Sequence, residues 1–195
     1  LLVIGVSESA KVNNVIVAVK LAVIIAFILI VGWYVIQHLD TLKANWDPFI
    51  PAPTGEEGKF GWDGIFRAAS IVFFAYIGFE AVSTAGQEAK NPKKDMPFGI
   101  IGSLAICTIL YILVSIVMTL VVNYKMLNVP DPVAVAVDAL GPEWGLFAKI
   151  IKVGAIVGLT SVVLVLMYGQ TRIFYTMARD GLLPSVFATV HQKFR

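Results

Sequence analysis

The sequence predicts an all-α integral membrane chain with four transmembrane helices, the second of them discontinuous. Three observations carry that prediction. Hydrophobic residues make up 58% of the chain and charged residues 14%, with a mean hydropathy of +0.83, whereas soluble domains are about a quarter charged. The apolar residues are gathered into runs of roughly 20 or more, the length an α-helix needs to cross a hydrocarbon core of about 30 Å. One of those runs, residues 71–92, changes character halfway: the apolar IVFFAYI gives way to Gly78 and Glu80, then to Ser83, Thr84, Ala85, Gly86, Gln87 and Glu88.

In chain order, residues 1–6 are apolar but too short to span. Leu1 is not a start methionine, no cleavable signal peptide is visible and Arg195 falls in mid-tail, so the chain is expected to be a piece of a longer protein. The first span is expected at 12–37, with one charge inside it, Lys20. Residues 38–63 hold Pro48, Pro51, Pro53 and three glycines, a polar loop that cannot be helical throughout. The second span, 64–89, contains the change of character. In the charged connection after it, Asp95 suits an N-cap and Pro97 the first turn of the third span, 97–124, which has no charge at all.

A second polar loop follows at 125–141, where VAVAVDAL after Pro132 predicts a short surface helix, although its alternation would equally suit a strand. The fourth span, 142–177, is charge-free over 153–171, and Gly181 supplies a stop a few residues beyond it. Residues 182–194 read as a short amphipathic interfacial piece. The whole of 1–195 is expected to be a single membrane domain. Four crossings put both ends on one side, and lysine and arginine in the flanks decide which. Lys11, Lys90, Lys93, Lys94, Arg172, Arg179, Lys193 and Arg195 lie on the side of the ends, against Lys43, Lys59, Arg67, Lys125, Lys149 and Lys152. The ends are therefore expected in the cytoplasm.

Composition also excludes functions. Fifteen Lys and Arg against 13 Asp and Glu give a net charge of +2, and no basic cluster carries interleaved aromatics, so no nucleic acid partner is expected. A single cysteine, Cys107, cannot form an intrachain disulfide. His38 and His191 are far apart, and there is no phosphate loop or nucleophile elbow. The chain is therefore expected to be no enzyme, with no metal and no cofactor.

The candidate site residues are those that hydrocarbon tolerates only with a reason. A break near Ile77–Gly78 would free the carbonyls of Phe74, Ala75 and Ile77, a cradle for an ammonium group or a cation. Glu80 would stand in the first turn of the following half-helix, where the dipole favours its ionised form and burial opposes it. It would carry a proton, pair with a cationic ligand, or simply fix packing against a neighbouring helix. Lys20 lies about 12 Å into its helix at 1.5 Å per residue. It either snorkels to the interface or faces the bundle interior and exchanges a proton. Thr160 and Ser161, in the apolar part of the fourth span, either bond back to their own helix or line a cavity with Lys20. Phe73, Phe74, Tyr76 and Phe79 flank the break as packing, or one of them as a gate.

The stretch FFAYIGFEAVSTAGQEAKNPKKDMP resembles the sixth helix and following loop of the amino acid–polyamine–organocation (APC) superfamily, nearest the cationic amino acid transporter family. ESAKVNNVIVAVK and RIFYTMARDGLLP agree with the segments before the fifth helix and after the eighth. The resemblance implies a LeuT-type fold of two inverted five-helix repeats, of which this chain holds helices five to eight. It implies a proton-coupled amino acid permease in the cell membrane. It assigns the ammonium cradle to Phe74, Ala75 and Ile77 beside Gly78, a gate to Phe74, and substrate recognition or proton coupling to Glu80. Lys20 matches a lysine that stands in for a sodium ion in proton-coupled members, with Thr160 or Ser161 as neighbours. The partners implied are an amino acid, protons, the lipid bilayer and the missing helices of the full-length transporter. The first, third and tenth helices complete the site, so this stretch holds half of it. Two other readings stand beside this one: an amino acid exchanger without proton coupling, and a non-transporting helical membrane scaffold subunit with a continuous second span.

Overall fold

The computed structural model describes residues 6–55, 58–76, 78 and 91–189, the side chains of 6–13 and 168 excepted. The described residues form helices and no strand. The α-helices are α1 (Val6–Gln37), α2 (Leu39–Leu42), α3 (Gly61–Val72), α4 (Pro92–Val121), α5 (Pro132–Asp138) and α6 (Gly145–Arg179). Single 3-10 turns punctuate them, the one over Phe73–Tyr76 directly continuing α3. Three stretches are long and apolar enough to cross a membrane: Asn14–Gln37, Pro92–Val121 and Pro142–Arg179. They correspond to the first, third and fourth expected spans. Of the second expected span, 64–89, only the part up to Tyr76 and Gly78 lies within the described residues.

Local chemistry explains where these helices start and stop. α4 begins at Pro92, earlier than the N-cap expected at Asp95. Asn91 takes the cap position instead: its carbonyl accepts from the Lys94 and Asp95 amides at 3.0 and 2.9 Å. The Asp95 carboxylate reaches back to the Asn91 N–H at 3.1 Å, satisfying an amide the helix leaves over. Pro92 suits the first turn because it has no N–H to leave unpaired. Pro97 consequently lies inside the helix rather than at its start. At the far end of α6, Gly181 has φ +78 and closes the helix as expected. Its N–H bonds Ala178 O at 3.2 Å and the Leu182 N–H bonds Met177 O at 2.9 Å. That paired pattern needs a left-handed residue, which glycine supplies without a Cβ clash.

The described residues group into two compact units. One comprises Ala22–Ile77 and Gly102–Val153, and it contains the hydrophobic core. Phe27, Val31 and Val35, four apart on one face of α1, are buried with Val117, Met118, Leu120 and Val121 of α4. Ala136 and Val137 of α5, Leu140, and Ala148 and Ile151 of α6 complete this core. The segment Pro132–Asp138 is thus a helix, as one of its two readings had it, with one side buried and Asp138 exposed. Its Val-Ala alternation gives small and branched side chains all round, and two of them are fully buried. The loop before α3 is tied to the end of α4. Asn45 Nδ2 donates to Leu120 O at 2.6 Å, and Trp46 Nε1 donates to Thr119 Oγ1 at 3.0 Å.

The other unit comprises Leu1–Leu21, Gly78–Ile101 and Gly154–Arg195. In it Gly154, Gly158 and Ser161, on one face of α6, are buried. Large apolar side chains are exposed in each unit taken by itself, Leu29, Trp33, Ile36 and Ile109 in the first and Ile156 and Leu159 in this one. A soluble domain rarely carries so much contiguous apolar surface. On helices of this length it is the surface a bilayer or further helices would meet. The chain is accordingly a multi-pass membrane protein.

Candidate functional site

The candidate residues fall in two places along the chain. The first is the end of α3. Regular α-helix stops at Val72, tightens to a 3-10 turn over Phe73–Tyr76, and reaches Gly78 with φ +127. Few L-residues adopt that backbone, and a Cβ on Gly78 would meet nothing within 4 Å, so conformation rather than space accounts for the glycine. Phe74 is exposed, with its ring edge-on to Phe73 at 6.5 Å between centroids. Ala75 is exposed too, and its carbonyl has a partner: Tyr111 Oη donates to Ala75 O at 3.1 Å. Ile77 and Glu80, expected as a cradle carbonyl and a charged partner, lie outside the described residues.

α4 supplies the surroundings of this turn. Thr108 and Tyr111, three residues apart, share a face of α4. Tyr76 Oη lies 2.9 Å from Thr108 Oγ1. The Thr108 hydroxyl donates to Leu104 O at 2.8 Å in its own helix. With its one proton committed there, Thr108 is the acceptor and Tyr76 the donor. The Tyr76 and Tyr111 rings meet edge to face, 5.4 Å between centroids. Thr108 and Tyr111 were not among the residues expected from the sequence. The signal that points to them is simple: two hydroxyls on one face of an uncharged apolar helix need partners where water is scarce.

The second place is on α1 and α6. Lys20 is half-buried, and its stem lies over Gly158. A Cβ built on Gly158 would stand 3.1 Å from Lys20 Cδ and 3.5 Å from Cγ. Ser161, one turn on from Gly158, is 2% exposed, and its hydroxyl donates to Gly158 O at 2.7 Å. Thr160 is exposed, and its hydroxyl donates to Ile156 O at 2.9 Å. Of the two hydroxyls, the structure therefore puts Ser161 on the face that meets Lys20, through Gly158, and turns Thr160 elsewhere. Both make the back-bond to their own helix that hydroxyls in apolar helices commonly make. Among the described residues no group of three or more His, Cys, Asp or Glu side chains is placed to hold a metal ion.

The chemistry on offer is therefore backbone carbonyls at a helix end, with hydroxyls around them, and one lysine on an apolar face lined by small residues. Comparison with known proteins gives these features a family. The family model described as "Amino acid permease" matches residues 1–195. The chain is 49% identical over 191 residues to a "Methylthioribose transporter" of Bacillus subtilis, covering 98% of this chain and 38% of that protein. It is 45% identical over 196 residues to the "Branched-chain amino acid permease BcaP" of the same organism, 100% of this chain and 39% of that one. It is 39% identical over 187 residues to "Cationic amino acid transporter 9, chloroplastic" of Arabidopsis thaliana, 96% of this chain and 30% of that one. No solved structure matches. The chain thus spans about two fifths or less of the length of these relatives. A match from the first residue to the last, together with these relatives, leaves one conclusion: the chain belongs to the amino acid permease family, within the APC superfamily its motifs resemble.

Proposed function

We propose that the chain is the central part of a proton-coupled secondary amino acid transporter. It moves its substrate by alternating access in a LeuT-type arrangement, in the cell membrane, with both ends of this stretch cytoplasmic. The observation that carries the reading is the end of α3. A helix in an apolar segment gives up its α-geometry over Phe73–Tyr76 and turns at a left-handed Gly78. Backbone freed in this way is tolerated at membrane depth only where it lines a polar cavity or is covered by protein. Carbonyls at Phe74, Ala75 and Ile77 suit a substrate ammonium, Phe74 suits a gate, and Glu80 suits a polar partner beyond the glycine. Lys20, with its stem over Gly158 and Ser161 beside it, suits the proton carrier. Thr160 is the weakest member of the set, its hydroxyl being committed elsewhere. Helices outside this stretch complete the cavity.

The test is uptake by the full-length protein in proteoliposomes. Labelled branched-chain and cationic amino acids are offered with and without an inward proton gradient. Accumulation of at least one, lost when the gradient is collapsed, is the expected result. Counterflow that ignores the gradient would establish the exchanger reading instead, and no movement of any amino acid would sink the substrate class.

A second reading of the substrate has specific support. The relative at 49% identity is named for methylthioribose, a neutral thiosugar with hydroxyls and no ammonium group. A carbonyl oxygen has two lone pairs; the Tyr111 hydroxyl takes one on Ala75 O, and the second is the one a ligand would use. A hydroxyl-rich substrate would use that lone pair and the two tyrosine hydroxyls as readily as an ammonium group would. Labelled methylthioribose belongs in the same panel, and its exclusive uptake decides for this reading.

A further inference from the structure

We infer that Thr108 and Tyr111 on α4 are positioning residues: together they latch the 3-10 turn Phe73–Tyr76 and aim its carbonyls. The inference rests on the proposed role of that turn in binding substrate. Its evidence is separate, because neither α4 residue is part of the proposed cradle. Two hydrogen bonds and one ring contact join a single face of α4 to two consecutive residues of the turn. Tyr111 Oη donates to Ala75 O at 3.1 Å, Tyr76 Oη pairs with Thr108 Oγ1 at 2.9 Å, and the two tyrosine rings meet at 5.4 Å.

The bonds have a direction, and the direction matters. Thr108 spends its proton on Leu104 O at 2.8 Å. It therefore holds Tyr76 as an acceptor, anchored to the carbonyl ladder of a continuous helix. Tyr111 can only donate to Ala75, because a carbonyl has no proton to give. The turn is thus held at two points, the Ala75 carbonyl and the Tyr76 hydroxyl, by a regular helix. A 3-10 turn has poorer hydrogen-bond geometry than α-helix and is adopted in short pieces. The latch supplies from the side what the turn lacks along its own axis. A carbonyl oxygen has two lone pairs, so a ligand and Tyr111 can share the Ala75 oxygen.

The experiment uses the full-length protein with two independent readouts, uptake kinetics and hydrogen exchange of the peptide spanning the turn. The variants are Tyr111→Phe and Thr108→Val, with Thr108→Ser as the conservative rescue. The expected result is a KM raised roughly three- to tenfold, the size of one lost hydrogen bond, with the maximal rate within about twofold. Exchange at the turn should quicken, and Thr108→Ser should restore both. Unchanged KM and unchanged exchange in both variants would overturn the inference. So would a fall in maximal rate alone, tracking the amount of folded protein. If the wild-type protein carries none of the offered substrates, the proposed function fails on its own. Exchange then decides the latch: faster at the turn in the variants supports it, and no change overturns it.

Discussion

In the proposed mechanism the two candidate regions would bind by opposite means. Around Lys20 a side-chain charge would do the chemistry, and the backbone is plain α-helix: α1 and α6 run unbroken past it, with Gly158 making room for its stem. At 73–78 the backbone carbonyls would themselves meet the substrate, and side chains serve them: Tyr111 holds a carbonyl, Thr108 holds Tyr76, and Gly78 permits the turn. A region of the first kind can be emptied by a single substitution. A region of the second kind cannot, since no substitution removes a carbonyl, and its losses should be graded. The predictions below press on that difference.

The largest effect is expected at Lys20. Lys20→Ala should abolish gradient-driven accumulation, by on the order of a hundredfold, the usual scale for losing a positioned proton-transfer group. Counterflow of substrate should survive. Lys20→Arg is the sharper variant: it keeps a positive charge but cannot release a proton at accessible pH, so it should fail to restore coupling. Uptake with unaltered pH dependence in Lys20→Ala would remove this region from the mechanism and leave snorkelling as the role of the lysine.

Gly158 is next. Adding a side chain there meets Lys20 Cδ at 3.1 Å. The neighbour is an aliphatic stem, so Gly158→Ala should be absorbed by a small shift. Gly158→Val should cost roughly 1–3 kcal/mol, as overfilled cores do. It should also impair coupling by redirecting the lysine, read as a lowered melting temperature together with a displaced pH profile. A Gly158→Val protein with wild-type stability and coupling would show that the stem does not need the space.

Gly78 tests the backbone region in the same way. Nothing lies within 4 Å of a Cβ there, so Gly78→Ala meets only the conformational penalty of φ +127. That amounts to about 1 kcal/mol or somewhat more. A graded rise in KM, smaller than the loss at Lys20, is expected in the uptake assay. Complete loss of transport would mean that the region does not yield in steps, and the contrast drawn here would fail.

How much of this was legible in the sequence depends on which force decided each element. Three long apolar helices followed from composition alone, because length and hydropathy set a span independently of its neighbours. Gly181 as a helix stop was equally local, a single residue serving its own backbone. The start of α4 was misplaced from Pro92 to Asp95 because several residues there suit a cap and only geometry chooses among them. Which side of the Pro132–Asp138 helix is buried was not legible, because its partners come from α1, α4 and α6, which no local pattern encodes. The glycine and the lysine of the candidate site stood out against apolar surroundings. Thr108 and Tyr111 did not, since an uncharged hydroxyl scarcely disturbs an apolar run, and its partner lies more than thirty residues away.

The smallest expected effect separates two adjacent hydroxyls within the lysine region. Ser161 is buried at 2% exposure on the face that carries Gly158, and its hydroxyl bonds Gly158 O at 2.7 Å. Thr160 is exposed and bonds Ile156 O at 2.9 Å. Ser161→Ala removes a buried hydrogen bond and should cost up to about 1 kcal/mol. It should shift the pH dependence of uptake if the hydroxyl also steers the lysine. Thr160→Ala removes a back-bond from an exposed side chain and should stay within about 0.5 kcal/mol of wild type, with an unchanged pH profile. The comparison is internal, since the two residues are neighbours on one helix, both bond back to it, and occupy different faces. An equal shift from both would mean that the face toward Gly158 has no special part in coupling. A shift from Thr160 alone would place the polar lining on the other side of α6 and take Lys20 out of it.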